Sequence, residues 1–319
     1  MFSRKFTGVL SALLAVVLIG LVSQSNAIAA DAAAAKFKGK MKVGITLHPY
    51  YSFVANIVGD RAEVIPLIDA ESNPHNYQPQ PNDMKRAMTM DALVVNGIGH
   101  DEWAFEIIKA AGRKGTLPLI YANASVALIP INGDQGNAKV VNPHTFVSTT
   151  AAIQQVFEIA RRLGELDPAN AGYYRSNATA YATRIRRLRA DFMTRFAKLD
   201  LSSFRCATMH AGYDYLMQEF GLSISAVIEP RHGVTPTARQ LANTIDEIKK
   251  ANVRVLFAEK YFANGLAKPI ETATGVKMYS LSHITGGPYT ADKFEVEMRE
   301  NLDTLAEAIE YTAHNPKGN

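Results

Sequence analysis

The sequence predicts an α/β protein of two lobes, each a mostly parallel sheet flanked by helices, joined by one long rigid helix. Short apolar runs alternate with helical patterns in both halves of the chain, which is typical of parallel sheets. Between the halves, residues 149–199 contain no strand-like run and place their apolar residues at helical spacing. A helix over residues 169–197 would measure roughly 40 Å at about 1.5 Å per residue, long enough to join two lobes.

The strand-like runs of the first half are continuously apolar over most of their length, as expected for strands covered on both faces. They fall at residues 41–47, 62–68 and 92–96, with helical patterns at residues 52–58 and 82–89. We expect this half to form an N-terminal lobe over residues 41–165.

The second half repeats this layout after a linking helix, which we expect over residues 166–199. Its strand-like runs fall at residues 204–209, 223–227, 253–258 and 277–281. We expect a C-terminal lobe over residues 200–319. The chain has no long sequence repeat, but its two halves echo each other in layout.

The first 29 residues are typical of a secretory signal peptide. Arg4 and Lys5 precede an apolar run over residues 9–22, and Ala27 and Ala29 form a small-residue pattern suited to cleavage. The run is shorter than the roughly 20 residues that a spanning helix needs, and a retained membrane anchor is the alternative. Because no cysteine lies near the cleavage point to carry a lipid, we expect a periplasmic protein that is not a lipoprotein.

Charge and cysteine content exclude some classes of protein. The formal net charge of +4 is mild and charges of both signs are scattered, so nucleic acid is not an expected partner. Four arginines within residues 184–189 indicate a solvated helix face, with a docking patch as the alternative. Cys206 is the single cysteine, so the fold has no intramolecular disulfide and relies on ordinary cores. We expect a monomer.

The tripeptide Asn-Pro-His occurs twice, at residues 73–75 and 142–144, in a chain with eight histidines. Proline fixes its own φ at about −65° and pushes the preceding residue out of the helical region, so each imidazole leaves a stiff loop. A stiff imidazole suits metal capture. Because Asn-Pro is also an ordinary turn signal, two surface turns are the alternative.

Four histidines each follow a strand-like run or the loop that leaves one: His75, His144, His210 and His283. The run before His144 is short, at residues 139–141. Ligands of open α/β sheets bind outside the carboxyl ends of the strands, so we expect the four imidazoles to converge. Four neutral nitrogens suit Zn²⁺, and they suit Mn²⁺ less well.

Segments along the whole chain share a further pattern. The segments are Pro-His-Asn-Tyr-Gln-Pro at 74–79, Asn-Gly-Ile-Gly-His-Asp-Glu-Trp at 96–103, Asn-Pro-His-Thr-Phe at 142–146, His-Ala-Gly-Tyr-Asp-Tyr at 210–215, Phe-Ala-Glu at 257–259, and the closing Tyr289 and Asn301. Together they resemble the motifs of the metal-binding proteins that serve zinc and manganese ABC importers, the ZnuA/TroA-like family.

This resemblance implies a solute-binding protein that holds one divalent metal ion between two lobes and delivers it to the membrane permease of an ABC importer. It implies His75 and His144 as ligands from the first lobe and His210 from the second. The fourth ligand of the family is usually an aspartate after the last strand, where this chain has His283. Either His283 or a water completes the shell, with Glu259 nearby as a hydrogen-bond acceptor or an alternative ligand.

Two other functions stay open at the level of sequence. A secreted zinc-dependent hydrolase would use three histidines and an open water position, but the chain has no His-Glu-x-x-His motif. A binding protein for a metal chelate would keep the fold and hold its cargo partly through His283 and His100. We favour a binding protein for the free ion, without enzymatic activity.

The remaining histidines and the cysteine have less specific interpretations. We expect a hydrogen-bonded structural role for His48, a loop position beside the site for His100, and solvated side chains for His232 and His314. Cys206 lies among apolar residues, which predicts a buried, inert thiol.

Overall fold

The computed structural model describes residues 37, 39–131, 140–229, 236–261 and 265–315. The expected signal peptide lies outside the described residues. Two four-stranded sheets, both with parallel pairings throughout, form the two lobes. No helix in the described part of the chain is both long enough and apolar enough to cross a membrane.

The two central strands of the first sheet are largely buried, as their continuously apolar sequences predict. It contains β1 (Met41–Ile45), β2 (Ala62–Pro66), β3 (Ala92–Val95) and β4 (Leu119–Tyr121), in the order β2-β1-β3-β4. Every residue of β3 is buried. The helices of this lobe are α1 (His48–Val58), α2 (Pro81–Thr89) and α3 (Glu102–Ala110).

The connection between the sheets is helical, which confirms the prediction of a long rod. Helix α4 (Thr149–Leu166) is followed by a 3-10 turn at Pro168–Asn170 and then by α5 (Ala171–Phe196), which has 26 residues. The start of α5 fits the sequence, because Pro168 lies in the turn before it. Proline has no backbone N–H, so it leaves none unpaired at the start of a helix.

The second sheet repeats the strand order of the first. It contains β5 (Cys206–His210), β6 (Ile224–Glu229), β7 (Val255–Glu259) and β8 (Lys277–Leu281), in the order β6-β5-β7-β8. Its helices are α6 (Asp214–Glu219), α7 (Ala238–Lys250), α8 (Ala267–Thr274) and α9 (Lys293–His314). The predicted echo between the two halves is therefore an identical sheet topology.

One strand-like run was misplaced by the sequence pattern. Residue 139 lies outside the described residues, and residues 140 and 141 do not form a strand of the first sheet: Val141 makes an isolated antiparallel bridge with Pro130. The fourth strand is instead the three-residue β4, which pairs with β3. A run this short is ended by Pro143, which lacks the N–H that a sheet would need. His144 therefore leaves a loop rather than a sheet strand.

A single apolar core extends through the first lobe, α5 and α9. The fully buried rings of Phe53, Tyr181 and Phe294 meet there, with centroids 6.2 Å apart for Phe53 and Tyr181 and 5.0 Å apart for Phe53 and Phe294. Helix α9 packs against β8 as well as against α1 and α5. The last helix of the chain thus ties the second sheet to the first lobe and holds the two sheet edges in a fixed relation.

Candidate metal centre

Four histidine side chains meet between the two lobes. One ring nitrogen from each lies within 4.8 Å of the others, in His75, His144, His210 and His283. Three of the four are buried and His75 is half-buried. Two imidazoles bound to one Zn²⁺, at about 2.0–2.1 Å each, have nitrogens roughly 3–4 Å apart, so one ion suffices to engage this group after small adjustments. The structure brings together all four histidines that the sequence selected.

The two first-lobe histidines are held by the same local device. His75 lies in a single 3-10 turn, Pro74–Asn76, and its backbone N–H donates to Asn73 Oδ1 at 3.0 Å. The backbone N–H of His144 donates to Asn142 Oδ1, also at 3.0 Å. Each Asn-Pro-His is therefore closed by its own asparagine side chain, as asparagine commonly does in turns.

Longer contacts anchor these two turns to the lobe. Trp103 Nε1 donates to the carbonyl of Pro74 at 3.0 Å, and Asn96 Nδ2 donates to the carbonyl of Pro143 at 3.0 Å. Both acceptors precede a histidine directly in the chain. The segment at residues 96–103, which the sequence singled out, thus acts as the support for both turns.

Asn142 also joins the two lobes at the centre. Its Nδ2 donates to the carbonyl of Ala211 at 2.9 Å and to Asp214 Oδ2 at 2.8 Å. Its Oδ1 lies 2.8 Å from Nδ1 of His144. Because Nδ1 faces an acceptor, this contact favours Nε2 as the metal-binding atom of His144.

The two second-lobe histidines are positioned by strand ends and by one carboxylate. His210 is the last residue of β5, and His283 follows β8 by two residues. Strand β7 lies between these strands and ends at Glu259, which is 6% exposed. The Glu259 carboxylate lies 3.1 Å from Nδ1 of His283 and 3.8 Å from Nδ1 of His210. It therefore faces the Nδ1 side of both rings and favours Nε2 as the metal-binding atom.

Gly212 leaves open the space into which both second-lobe rings point. A Cβ atom at this position would lie 2.2 Å from Nε2 of His283 and 2.6 Å from Nε2 of His210. Every other residue type would fill the space where an ion meets these nitrogens. The donor set and the space therefore fit a metal ion. Sequence reasoning missed Gly212, although a glycine two residues after a candidate ligand was a usable signal.

Burial keeps the Tyr213 phenol neutral beside the second-lobe pair and the Cys206 thiol inert at the start of β5. Burial raises the pKa of the Tyr213 phenol, which donates to the carbonyl of Leu281 at 2.9 Å and packs its ring 4.4 Å from that of His283. Burial raises the pKa of the Cys206 thiol to about 12, as expected for an inert thiol.

The other described histidines differ in their contacts and exposure. His48 stacks on Tyr289 with ring centroids 4.0 Å apart, and its Nε2 lies 3.0 Å from the carbonyl of Ala70, in line with the structural role expected for it. His314 is exposed near the end of α9, and His232 lies outside the described residues. His100 is 5% exposed, and its ring centroid is 4.3 Å from that of His75.

Comparison with known proteins gives one family. The family model for zinc-uptake complex component A, periplasmic, matches residues 43–308. Among solved structures, the SBP FpvC from Pseudomonas aeruginosa in complex with Mn²⁺ is 51% identical, with a TM-score of 0.81, over 86% of this chain and 99% of that chain. The zinc-binding protein AdcA of Streptococcus pyogenes serotype M1 is 24% identical over 291 residues, 84% of this chain and 56% of AdcA. This chain spans about half the length of that curated relative.

A third relative corrects one expectation. The metal ABC transporter substrate-binding lipoprotein FimA of Streptococcus parasanguinis is 24% identical over 313 residues, 96% of this chain and 99% of FimA. The expectation that this protein is not a lipoprotein is therefore wrong. It rested on the absence of a cysteine near an expected cleavage point, in a segment outside the described residues. The comparisons support an extracytoplasmic location.

The family model covers most of the chain, and the same two-lobed fold with a long central helix recurs in the solved structures. The resemblance seen in the sequence motifs is confirmed: the chain belongs to the family of periplasmic zinc-uptake complex component A proteins.

Proposed function

We propose that this protein is an extracytoplasmic solute-binding protein, which captures one divalent metal ion between its lobes and delivers it to the permease of an ABC importer. The observation that carries the proposal is the group of four imidazoles, two from each lobe, with nitrogens within 4.8 Å of one another. A set of neutral nitrogen donors suits Zn²⁺. Mn²⁺, with which the related FpvC was solved, is the alternative cargo.

In this proposal His75, His144, His210 and His283 are the ligands. His283 stands where the family usually has an aspartate, and its Nδ1 lies 3.1 Å from Glu259. That contact leaves Nε2 directed toward the space beside Gly212 and supports His283, rather than a water, as the fourth ligand. Glu259 then orients the second-lobe imidazoles and is not itself a ligand.

The same position of Glu259 argues against a hydrolase. A general base must reach the water that a metal activates, within about 2.6–3.2 Å or through one further water. Glu259 instead faces the Nδ1 atoms, on the side of the rings away from the space beside Gly212. This supports capture and release of an ion without chemistry.

A matched pair of glycine variants tests the site. Gly212→Ala places a methyl group between the Nε2 atoms of His210 and His283 and should abolish Zn²⁺ binding in isothermal titration. Gly172→Ala in α5 is the control, because a Cβ there meets nothing within 4 Å. Undiminished Zn²⁺ binding by Gly212→Ala would place the metal elsewhere.

Cargo identity is tested with untagged protein. Competition titration should show Zn²⁺ preferred over Mn²⁺, and Zn²⁺ should raise the melting temperature because it binds only the folded state. A measured preference for Mn²⁺ would contradict the all-nitrogen shell. Cells that lack this protein should need added zinc to grow. Restoration of growth without added zinc by the wild-type chain, and not by Gly212→Ala, would establish its role in import.

A further inference from the structure

A cavity of about 440 Å³ opens from solvent onto the first-lobe side of the four-histidine group. Its wall includes His75 and His144 from that group, together with His100, Glu102, Trp103 and Glu106. Because one water occupies roughly 30 Å³ of liquid, this volume admits a divalent ion with its water shell. We call it the access cavity.

His100 lies at the inner end of the access cavity. It is 5% exposed, and its ring centroid is 4.3 Å from that of His75 and 5.1 Å from that of His144. The group of four nitrogens within 4.8 Å does not include it. His100 therefore packs against two of the proposed ligands from outside their group, and all three line the cavity.

Two carboxylates lie further out along the same wall. Glu102 and Glu106 are both exposed, and they lie one turn apart on α3, a spacing that places them on one face of the helix. The lining of the cavity thus combines two exposed carboxylates, the buried His100 imidazole and two of the proposed ligands. Oxygen donors with negative charge attract a hydrated cation, and such attraction increases the rate of association.

We propose that His100 is a transfer ligand for the metal ion. The hydrated ion is drawn into the access cavity by Glu102 and Glu106. One metal–water bond then breaks as a metal–nitrogen bond forms to the neutral His100 ring, and that bond is in turn exchanged for one to His75 or His144. No proton moves in either exchange. This inference rests on the proposed function, since it concerns the route to the same site.

A transfer ligand has a distinct kinetic signature. It binds the metal in an intermediate between the free and the fully bound states, and it is a ligand in neither of those end states. Its loss therefore slows binding and release by the same factor and leaves the dissociation constant unchanged. Loss of a ligand of the final shell instead weakens the equilibrium affinity, mostly by faster release.

Stopped-flow measurement of Zn²⁺ binding and release separates these cases in the wild-type chain, His100→Phe and His100→Ala. The phenylalanine variant keeps a ring against Phe146, whose centroid lies 5.2 Å from that of His100. We expect both rate constants to fall roughly tenfold in both variants, about 1.4 kcal/mol in each barrier, with the dissociation constant changed less than about threefold. Circular dichroism reports whether each variant folds, and either folded variant suffices.

Each other outcome overturns the transfer role. Weaker equilibrium binding with an unchanged association rate would make His100 a fifth ligand of the final shell, and unchanged rates would make it a bystander. A wild-type chain that fails to bind Zn²⁺ would overturn the proposed function as well, so the two failures are distinguishable.

The outer part of the route is tested by charge removal. Glu102→Gln with Glu106→Gln should lower the association rate about threefold or more at low salt and flatten its dependence on ionic strength. Asp246→Asn with Glu247→Gln removes the same charge from exposed positions of α7, outside the cavity lining, and should leave the rate unchanged. Equal effects of the two double variants would show that only net charge matters and would remove the carboxylates from the route.

Discussion

The two halves of the metal centre hold their histidines by different means. In the first lobe, His75 and His144 lie in Asn-Pro-His turns, each closed by an asparagine two residues earlier. In the second lobe, His210 and His283 leave the ends of strands β5 and β8 and share the Glu259 carboxylate of β7. One half is arranged locally along the chain, and the other by the assembly of a sheet.

This difference predicts which half of the metal centre tolerates substitutions better. A turn set by proline and closed by asparagine keeps its shape through two independent constraints. The second-lobe pair depends on one carboxylate and on the parallel order β5-β7-β8. We therefore expect changes around Glu259 to weaken metal binding more than comparable changes around Asn73.

Removal of a ligand should have the largest effect in either half. His144→Ala and His210→Ala should each weaken Zn²⁺ binding at least about a hundredfold, about 2.7 kcal/mol, since each removes one of four donors. Isothermal titration with a competing chelator measures this. Equal, small losses for both variants would contradict a shared centre.

The fourth position distinguishes a histidine ligand from a water. His283→Ala should cost at least about tenfold in Zn²⁺ affinity, while His283→Asp should retain binding and shift preference toward Mn²⁺ by supplying a hard oxygen donor. Unchanged Zn²⁺ affinity in His283→Ala would leave a site of three histidines.

Acid should loosen the contact between the lobes at His48. Burial lowers the pKa of His48 to about 4, with Lys293 adding to the shift, whereas the unfolded chain has the ordinary value of 6.5. The unfolded chain thus binds more protons between these values, so the contribution of His48 is complete above about pH 6.5 and is lost as pH falls toward 4. At pH 5 the loss should be about 2 kcal/mol of unfolding free energy.

Urea unfolding of the metal-free protein at pH 7.5 and pH 5 measures this loss. His48→Gln cannot take up a proton and should reduce the difference between the two pH values by about the same amount, about 2 kcal/mol. An unchanged difference in His48→Gln would assign the acid sensitivity to other groups.

Glu259→Gln should weaken Zn²⁺ binding at least about tenfold, about 1.4 kcal/mol, because the amide removes the charge that faces the Nδ1 atoms of His210 and His283. The side chain keeps its size, so the fold should be unaffected. Unchanged affinity with a folded protein would show that strand geometry alone orients the second-lobe pair.

Asn73→Ala should have the smallest effect, a loss of about threefold in Zn²⁺ affinity, because one hydrogen bond contributes about 0.5–1.5 kcal/mol and Pro74 still restrains the turn. The comparison of the two halves predicts that Asn73→Ala costs less than Glu259→Gln. The reverse order in parallel titrations would refute it.

Local signals in the sequence determined much of this protein. The alternation of apolar runs and helical patterns predicted two parallel sheets and the long helix, because such periodicities depend on neighbours along the chain. The repeated Asn-Pro-His predicted two stiff turns, because a turn also depends on neighbours along the chain. The topological rule for parallel sheets then selected the four histidines that the structure brings together, although His144 leaves a loop and not a sheet strand.

The tertiary structure alone decided which atoms meet within each half of the metal centre. The space beside Gly212, the approach of Glu259 to two Nδ1 atoms and the contact of His100 with His75 each join residues far apart in the chain. The sequence pattern likewise did not predict the three-residue β4 or the bridge at Val141. Whether such a short segment becomes a strand depends on the strand it pairs with. The approach of the His75–His144 pair to the His210–His283 pair depends on how α5 and α9 pack the two sheets together, and packing is a property of the whole core rather than of any segment.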